Sequence, residues 1–235
     1  MVAFRMSVRW SWPLNSDTIT CMPLLTPDVV VAGTFGGTAQ PTIPTGSGLV
    51  LRPWIQRDAP AVLEAFADPE IRRWHVRAAA CRNEVERWID CWGADWRGEL
   101  HAHWAIADAV TDDLLGRVSL KNMDLMCGQG SVAYWTMPTR RGQDVASSAV
   151  EALTHWAFDG VGFHRLELTR SVHNLPSCRV AIKTGFDFEG VKRLRGSIST
   201  VGRTCIYTLA STTTNSIWAT ASSRFTPRRS TTVPR

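Results

Sequence analysis

The chain has no apolar run approaching the roughly 18 residues that a membrane-spanning helix requires, and it has no internal repeat. Its six cysteines (Cys21, Cys81, Cys91, Cys127, Cys178 and Cys205) include no CxxC pair and no spacing with histidine that suits a metal. This argues against a zinc module and against a disulfide framework. The cysteines sit mostly in apolar patterns, as reduced, buried thiols of a cytoplasmic protein do. Arg5 and Arg9 are followed by Pro13, Asn15, Asp17 and Pro23, which break the apolar stretch of a secretory signal.

A basic folded surface is also missing, although the net charge is +5. The last 25 residues carry Arg224, Arg228, Arg229 and Arg235 with no acid, and residues 1–47 balance Arg5 and Arg9 against Asp17 and Asp28. Only one unit of positive charge remains for residues 48–210. Nucleic acid is therefore not an expected partner of the folded part. A nucleic-acid binder would have to rest on the tail alone.

What is present is a mixed α/β domain between two compositionally biased ends. Residues 1–47, rich in Thr, Pro and Gly, are expected to be irregular or disordered, as is the basic tail 211–235. Within 48–210, GLVLRPW reads as a strand, and Asp58 precedes the helical APAVLEAFA as an N-cap. Val85, Trp88, Ile89 and Trp92 recur at helical spacing after Asn83. HWAIAD and LLGRVSLK alternate like a hairpin, and SVAYWTM is a further strand ended by Pro138. Gly142–Phe158 reads as a helix with Val145, Ala149, Leu153 and Trp156 on one stripe. HRLELT, a helix over Leu175–Thr184 closed by Gly185, and two last strands complete the order β-α-α-β-β-β-α-β-α-β-β. Trp54, Trp88, Trp92, Trp104 and Trp156 lie in apolar patterns and are assigned to the core.

The stretch TRRGQDVASSAVEAL runs from a basic loop into a helix start, where unpaired N–H groups and the dipole favour an anion. Together with LVLRPW, WAIAD, LLGRVSL, VAYWTMP, HRLEL, HNLPSCRVAIKTGF and EGVKR, in that order over roughly 160 residues, it resembles the GNAT superfamily of N-acetyltransferases. The resembling branch is the one typified by ribosomal-protein N-terminal acetyltransferases.

The resemblance implies a mixed, mostly antiparallel sheet flanked by helices and splayed between the fourth and fifth strands, with acetyl-CoA as cosubstrate and no metal. It implies direct acetyl transfer to a primary amine, either a protein N-terminus or a small molecule, by a monomer or homodimer. The pyrophosphate loop falls on Arg141, Gly142, Gln143, Asp144, Val145 and Ala146, with Asp144 where the family has its central glycine. Trp135, Thr136 and Met137 fall where backbone groups meet the coenzyme and the oxyanion, and Arg179 on the following helix. Asn174 falls where the family meets the pantetheine arm or helps at the acetyl centre, and Ser177 where the branch protonates the departing thiolate. The family's base glutamate falls at Ser131 and its acid tyrosine at Ala181; Asp124, Glu167, His173 or water are the substitutes for the base. Trp74 and Tyr134 are the expected acceptor and channel residues. The two departures at Asp144 and Ser131 also fit an impaired domain acting as a CoA-binding or interaction module.

Overall fold

The computed structural model describes residues 27–75, 77–193 and 203–210. The tail 211–235 and the first 26 residues lie outside the described residues. In chain order come β1 (Ile43–Pro44), β2 (Leu49–Arg52), α1 (Ala59–Ala67), α2 (Pro69–Trp74), α3 (Arg82–Arg97), β3 (Ala102–Asp108), β4 (Leu114–Asp124) and β5 (Gln129–Thr136). They are followed by α4 (Val145–His155), β6 (Arg165–Ser171), α5 (Leu175–Lys183), β7 (Asp187–Arg193) and β8 (Arg203–Ala210). The strands form one sheet in the order β1-β2-β3-β4-β5-β6-β8-β7. Every pairing is antiparallel except that of β5 with β6.

Strand alternation divides the sheet into two cores. On one face Trp104, Ile106, Val118, Leu120 and Val132 pack with Val145, Ala149 and Leu153 of α4. On the other, Trp135 and Met137 pack with Val62 and Phe66 of α1 and with Val85, Ile89 and Trp92 of α3. The helical stripes expected for α3 and α4 thus face the sheet.

Four local features differ from the sequence reading. Asp58 makes no side-chain cap to α1; Arg52 takes both its oxygens at 2.8 Å, and it also accepts the Ile55 N–H. A short helix, α2, follows Asp68, whose carboxylate accepts the Ile71 N–H at 2.9 Å. The helix expected from Gly142 begins only at Val145, because Gly142 (φ 76°) and Asp144 (φ 59°) hold left-handed conformations that cannot propagate a right-handed helix. It ends in a wider π turn over Trp156–Val161.

The fourth difference concerns residues 28–47. Their backbone is mostly irregular, but Val30 and Phe35 are 2% exposed in the core. The Phe35 ring meets Trp96, Trp156 and Phe163 at centroid distances of 5.1, 5.9 and 6.5 Å. Glu99 accepts the N–H groups of Gly33, Phe35 and Gly36. The indoles of Trp96 and Trp104 donate to the carbonyls of Thr38 and Pro41.

Candidate active site

β5 and β6 run parallel and paired from Gln129↔Arg165 to Val132↔Leu168, and pair no further. Each continues on its other side, β5 against β4 as far as Thr136↔Gly116 and β6 against β8 as far as Ser171↔Thr204. The two strands therefore diverge beyond Val132 and leave a wedge between them. The Met137 N–H is taken by the Leu115 carbonyl at 2.8 Å. Antiparallel alternation then directs the Trp135 N–H to β4 as well, and turns those of Tyr134 and Thr136 toward the wedge. The N–H groups of Trp135 and Met137 thus point away from the wedge. The Trp135 side chain lies under α1 and α3, 4% exposed, with its indole N–H buried and without a hydrogen-bond partner among the described residues.

The loop before α4 sits at the mouth of the wedge. Asp144 is the N-cap of α4 in left-handed conformation and makes no side-chain cap bond. The first N–H groups of that helix, at Val145 and Ala146, have no partner within the helix. α2 and α5 differ, because Asp68 and Asn174 cap them by accepting from Ile71 and Ser177. The charge of Asp144 is met by Lys183 of α5 at 2.6 Å. Arg141 points to Asp68, with contacts of 2.7 and 3.4 Å. That hydrogen bond holds the Asp68 carboxyl below its usual range. Gln143 donates to the Thr139 carbonyl. Arg179 is exposed one turn before Lys183.

At the wedge, Tyr134 Oη lies 2.8 Å from Ser177 Oγ. Burial pushes the Tyr134 phenol up to about 12, the Ser177 hydrogen bond opposing it only in part. Asn174 Oδ1 accepts the Ser177 N–H at 3.2 Å, so that side chain is engaged as a cap. Cys178 Sγ and Arg170 both lie 2.9 Å from Tyr207 Oη behind this pair. Ala181 is fully buried.

From the wedge a cleft of about 510 Å³ runs under α1 and α3. Val132, Tyr134, Leu168, Asn174 and Ser177 line its end at the wedge; Phe66, Trp74, Trp88 and Trp92 wall the other. Ser131 is not among its lining residues; it pairs in register with Lys121 and Glu167 at the edge. Glu167 is held by Arg165 at 3.3 Å. Asp124 and His173 are exposed.

Sequence reasoning missed the floor of this cleft. His75, Arg77, Asp95, His101, His103, Arg117, Lys121 and Arg170 all line it. They come from separate elements, and no contiguous motif gathers them. Alternation along β4 sets Arg117, Ser119 and Lys121 on one face, a signal legible only once the register with β3 and β5 is known. His103 Nδ1 meets Ser119 Oγ at 2.8 Å and its Nε2 meets Asp95 at 3.3 Å. Burial, reinforced by Arg117, pulls His75 down to about 4 and His103 to about 2, so both rings are neutral at neutral pH. Among the described residues no group of three or more side chains gathers as a metal site, and no helix is long and apolar enough to cross a membrane.

Comparison with known proteins bears on this arrangement. A family model described as an acetyltransferase (GNAT) domain matches residues 48–187. The uncharacterized N-acetyltransferase YoaA of Bacillus subtilis (strain 168) is 23% identical over 146 residues, 62% of this chain and 82% of that one. Among solved structures, RimL, a ribosomal-protein alpha-N-acetyltransferase in complex with coenzyme A, is similar with a TM-score of 0.65 at 18% identity, over 72% of this chain and 98% of that one. A microcin self-immunity acetyltransferase in complex with acetyl-CoA and AMP gives a TM-score of 0.63 at 19% identity, over 71% and 97% of the two chains.

Proposed function

The chain belongs to the acetyltransferase (GNAT) family, the acetyl-CoA-dependent N-acetyltransferases, and from that premise we propose that it acetylates a primary amine by direct transfer in a ternary complex. The observation that carries the reading is the wedge between β5 and β6, opening beside the uncapped start of α4. The wedge leaves backbone groups of β5 free to pair with the pantetheine arm as a short added strand would. The first N–H groups of α4 and the Gly142–Asp144 turn would receive the pyrophosphate. Arg141 and Lys183 reach it by exchanging Asp68 and Asp144 for phosphate oxygens, since partly exposed ion pairs of this kind hold by only about 0–1 kcal/mol.

The residues present suggest the steps. The acceptor amine must lose a proton, and the cations of the cleft depress its pKa, so that water suffices to take that proton. The nitrogen lone pair then attacks the acetyl carbonyl carbon. The wedge-facing N–H groups of Tyr134 and Thr136 stabilise the developing oxyanion. As the C–S bond breaks, Ser177 Oγ passes a proton to the thiolate and is resupplied by Tyr134, which burial keeps protonated; the proton that the new amide nitrogen sheds returns through water to Tyr134. Ser131 takes no part in this scheme. Trp74 walls the acceptor side, and the acceptor is a protein N-terminus or a small amine; the structurally similar RimL is a ribosomal-protein alpha-N-acetyltransferase.

Release of free CoA thiol over a panel of amines tests the reading. The expected result is release that depends on both acetyl-CoA and amine, with intersecting double-reciprocal plots. Parallel plots would overturn direct transfer, and absence of release with every amine would overturn the enzymatic reading.

A further inference from the structure

We propose that the acceptor bears a carboxylate within one or two residues of its amine, seated against Arg117 and Lys121 on the floor of the cleft. The inference rests on the acetyl-transfer reading of the same site and names its substrate class.

Arg117 and Lys121 rise from one face of β4, four residues and therefore about 13 Å of strand apart. Both line the cleft, as does Arg77. The Arg117 Nε is buried with no hydrogen-bond partner among the described residues. Its guanidinium lies 5.5 Å from the centroid of the Trp92 ring, a contact that offsets part of its lost hydration and supplies no acceptor. A shielded donor regains what it lost to water only from an acceptor, and a planar guanidinium matches a carboxylate best. Among the described residues one carboxylate lines the cleft, Asp95; it faces His103 Nε2 at 3.3 Å, and its attraction for Lys121 is the smallest of the influences on that amine.

The electrostatics agree with the geometry. Burial, with Arg77 adding repulsion, lowers Arg117 to about 10. Burial, then Arg117 and Arg77, also lowers Lys121 from its usual range. These neighbouring cations are held together against mutual repulsion, which an anion between them relieves and a cationic acceptor such as a polyamine aggravates. The aromatic wall of Trp74, Trp88 and Trp92 beside them lowers the local polarity, so the charge discrimination is stronger than on an open surface.

The test uses the full chain with saturating acetyl-CoA and two C-terminally amidated peptides, Ser-Glu-Glu-Ala and Ser-Gln-Gln-Ala. Free glutamate and its diamide form a parallel pair. The expected result is a kcat/KM about tenfold or more higher for the carboxylate member of a pair, with the ratio shrinking in high salt. Preference within the peptide pair identifies a protein N-terminus as the source of the carboxylate, and preference within the small pair a free amino acid. Lys121→Gln and Arg117→Met should each compress the ratio severalfold; Lys121→Gln, half-buried, keeps the test usable should the other variant not fold. Equal rates within both pairs, or faster transfer to a lysine-containing peptide, would overturn the inference and leave acetyl transfer standing. If no amine is acetylated, calorimetric binding of the N-acetylated peptides decides. About tenfold tighter binding of the glutamate form supports the inference while the enzymatic reading fails, and equal binding overturns it.

Discussion

Asp144 holds the left-handed turn that opens α4 without the help of a glycine. Aspartate tolerates this conformation better than most side chains, at a cost of about 1–2 kcal/mol relative to glycine. Lys183 stands 2.6 Å from its carboxylate. The side chains are 65% and 55% exposed, so the pair contributes about 1 kcal/mol at most. The turn thus survives in shape, and what the substitution adds is charge beside the expected pyrophosphate. That repulsion amounts to about 1 kcal/mol at ~4 Å in water. Asp144→Gly removes it and frees Lys183, and should tighten acetyl-CoA binding about fivefold; equilibrium dialysis checks this, and an unchanged or weaker affinity would contradict it. That an aspartate stands in the turn before α4 was legible in the sequence. Its countercharge was not, because Lys183 lies 39 positions away on another helix and is brought to it only by the packing of α5 beside α4.

At the scale of elements, strong periods were legible and single anchors were not. Val85, Ile89 and Trp92 repeat at helical spacing and do face the second core, and the closing Gly185 takes φ 79° after α5 as a C′ glycine does. Residues 28–47 offer no period, since their attachment depends on isolated residues and on backbone carbonyls that accept from buried indoles. Composition cannot report such contacts. Phe35 is the main apolar anchor of this segment, fitted among Trp96, Trp156 and Phe163. Phe35→Ala should therefore cost about 3–5 kcal/mol, read as a lower midpoint in chemical denaturation. A loss below about 1 kcal/mol would mean the segment is not integral to the domain. The short α2 escaped for a different reason: at six residues it is too brief to show a period, and its Asp68-Pro69 start reads equally well as a turn.

For the whole molecule, the order of the pieces carried more than any one of them. Strand, basic loop, long helix, strand and capped helix place the wedge, the α4 loop and the Tyr134–Ser177 pair at one end of the sheet. The charge of the cleft could not be read in this way. Residues 48–210 carry a net charge near neutral, yet alternation and register bring Arg77, Arg117 and Lys121 to one side of the sheet. Global composition averages such a distribution away. The proposed acetyl transfer depends most on the wedge and the α4 loop together forming a coenzyme site. Calorimetric titration of the full chain with acetyl-CoA tests that most directly. Saturable binding of one acetyl-CoA per chain is expected, with a dissociation constant between about 1 μM and 1 mM. Absence of saturable binding at millimolar acetyl-CoA, by a chain whose circular dichroism shows it folded, would contradict it.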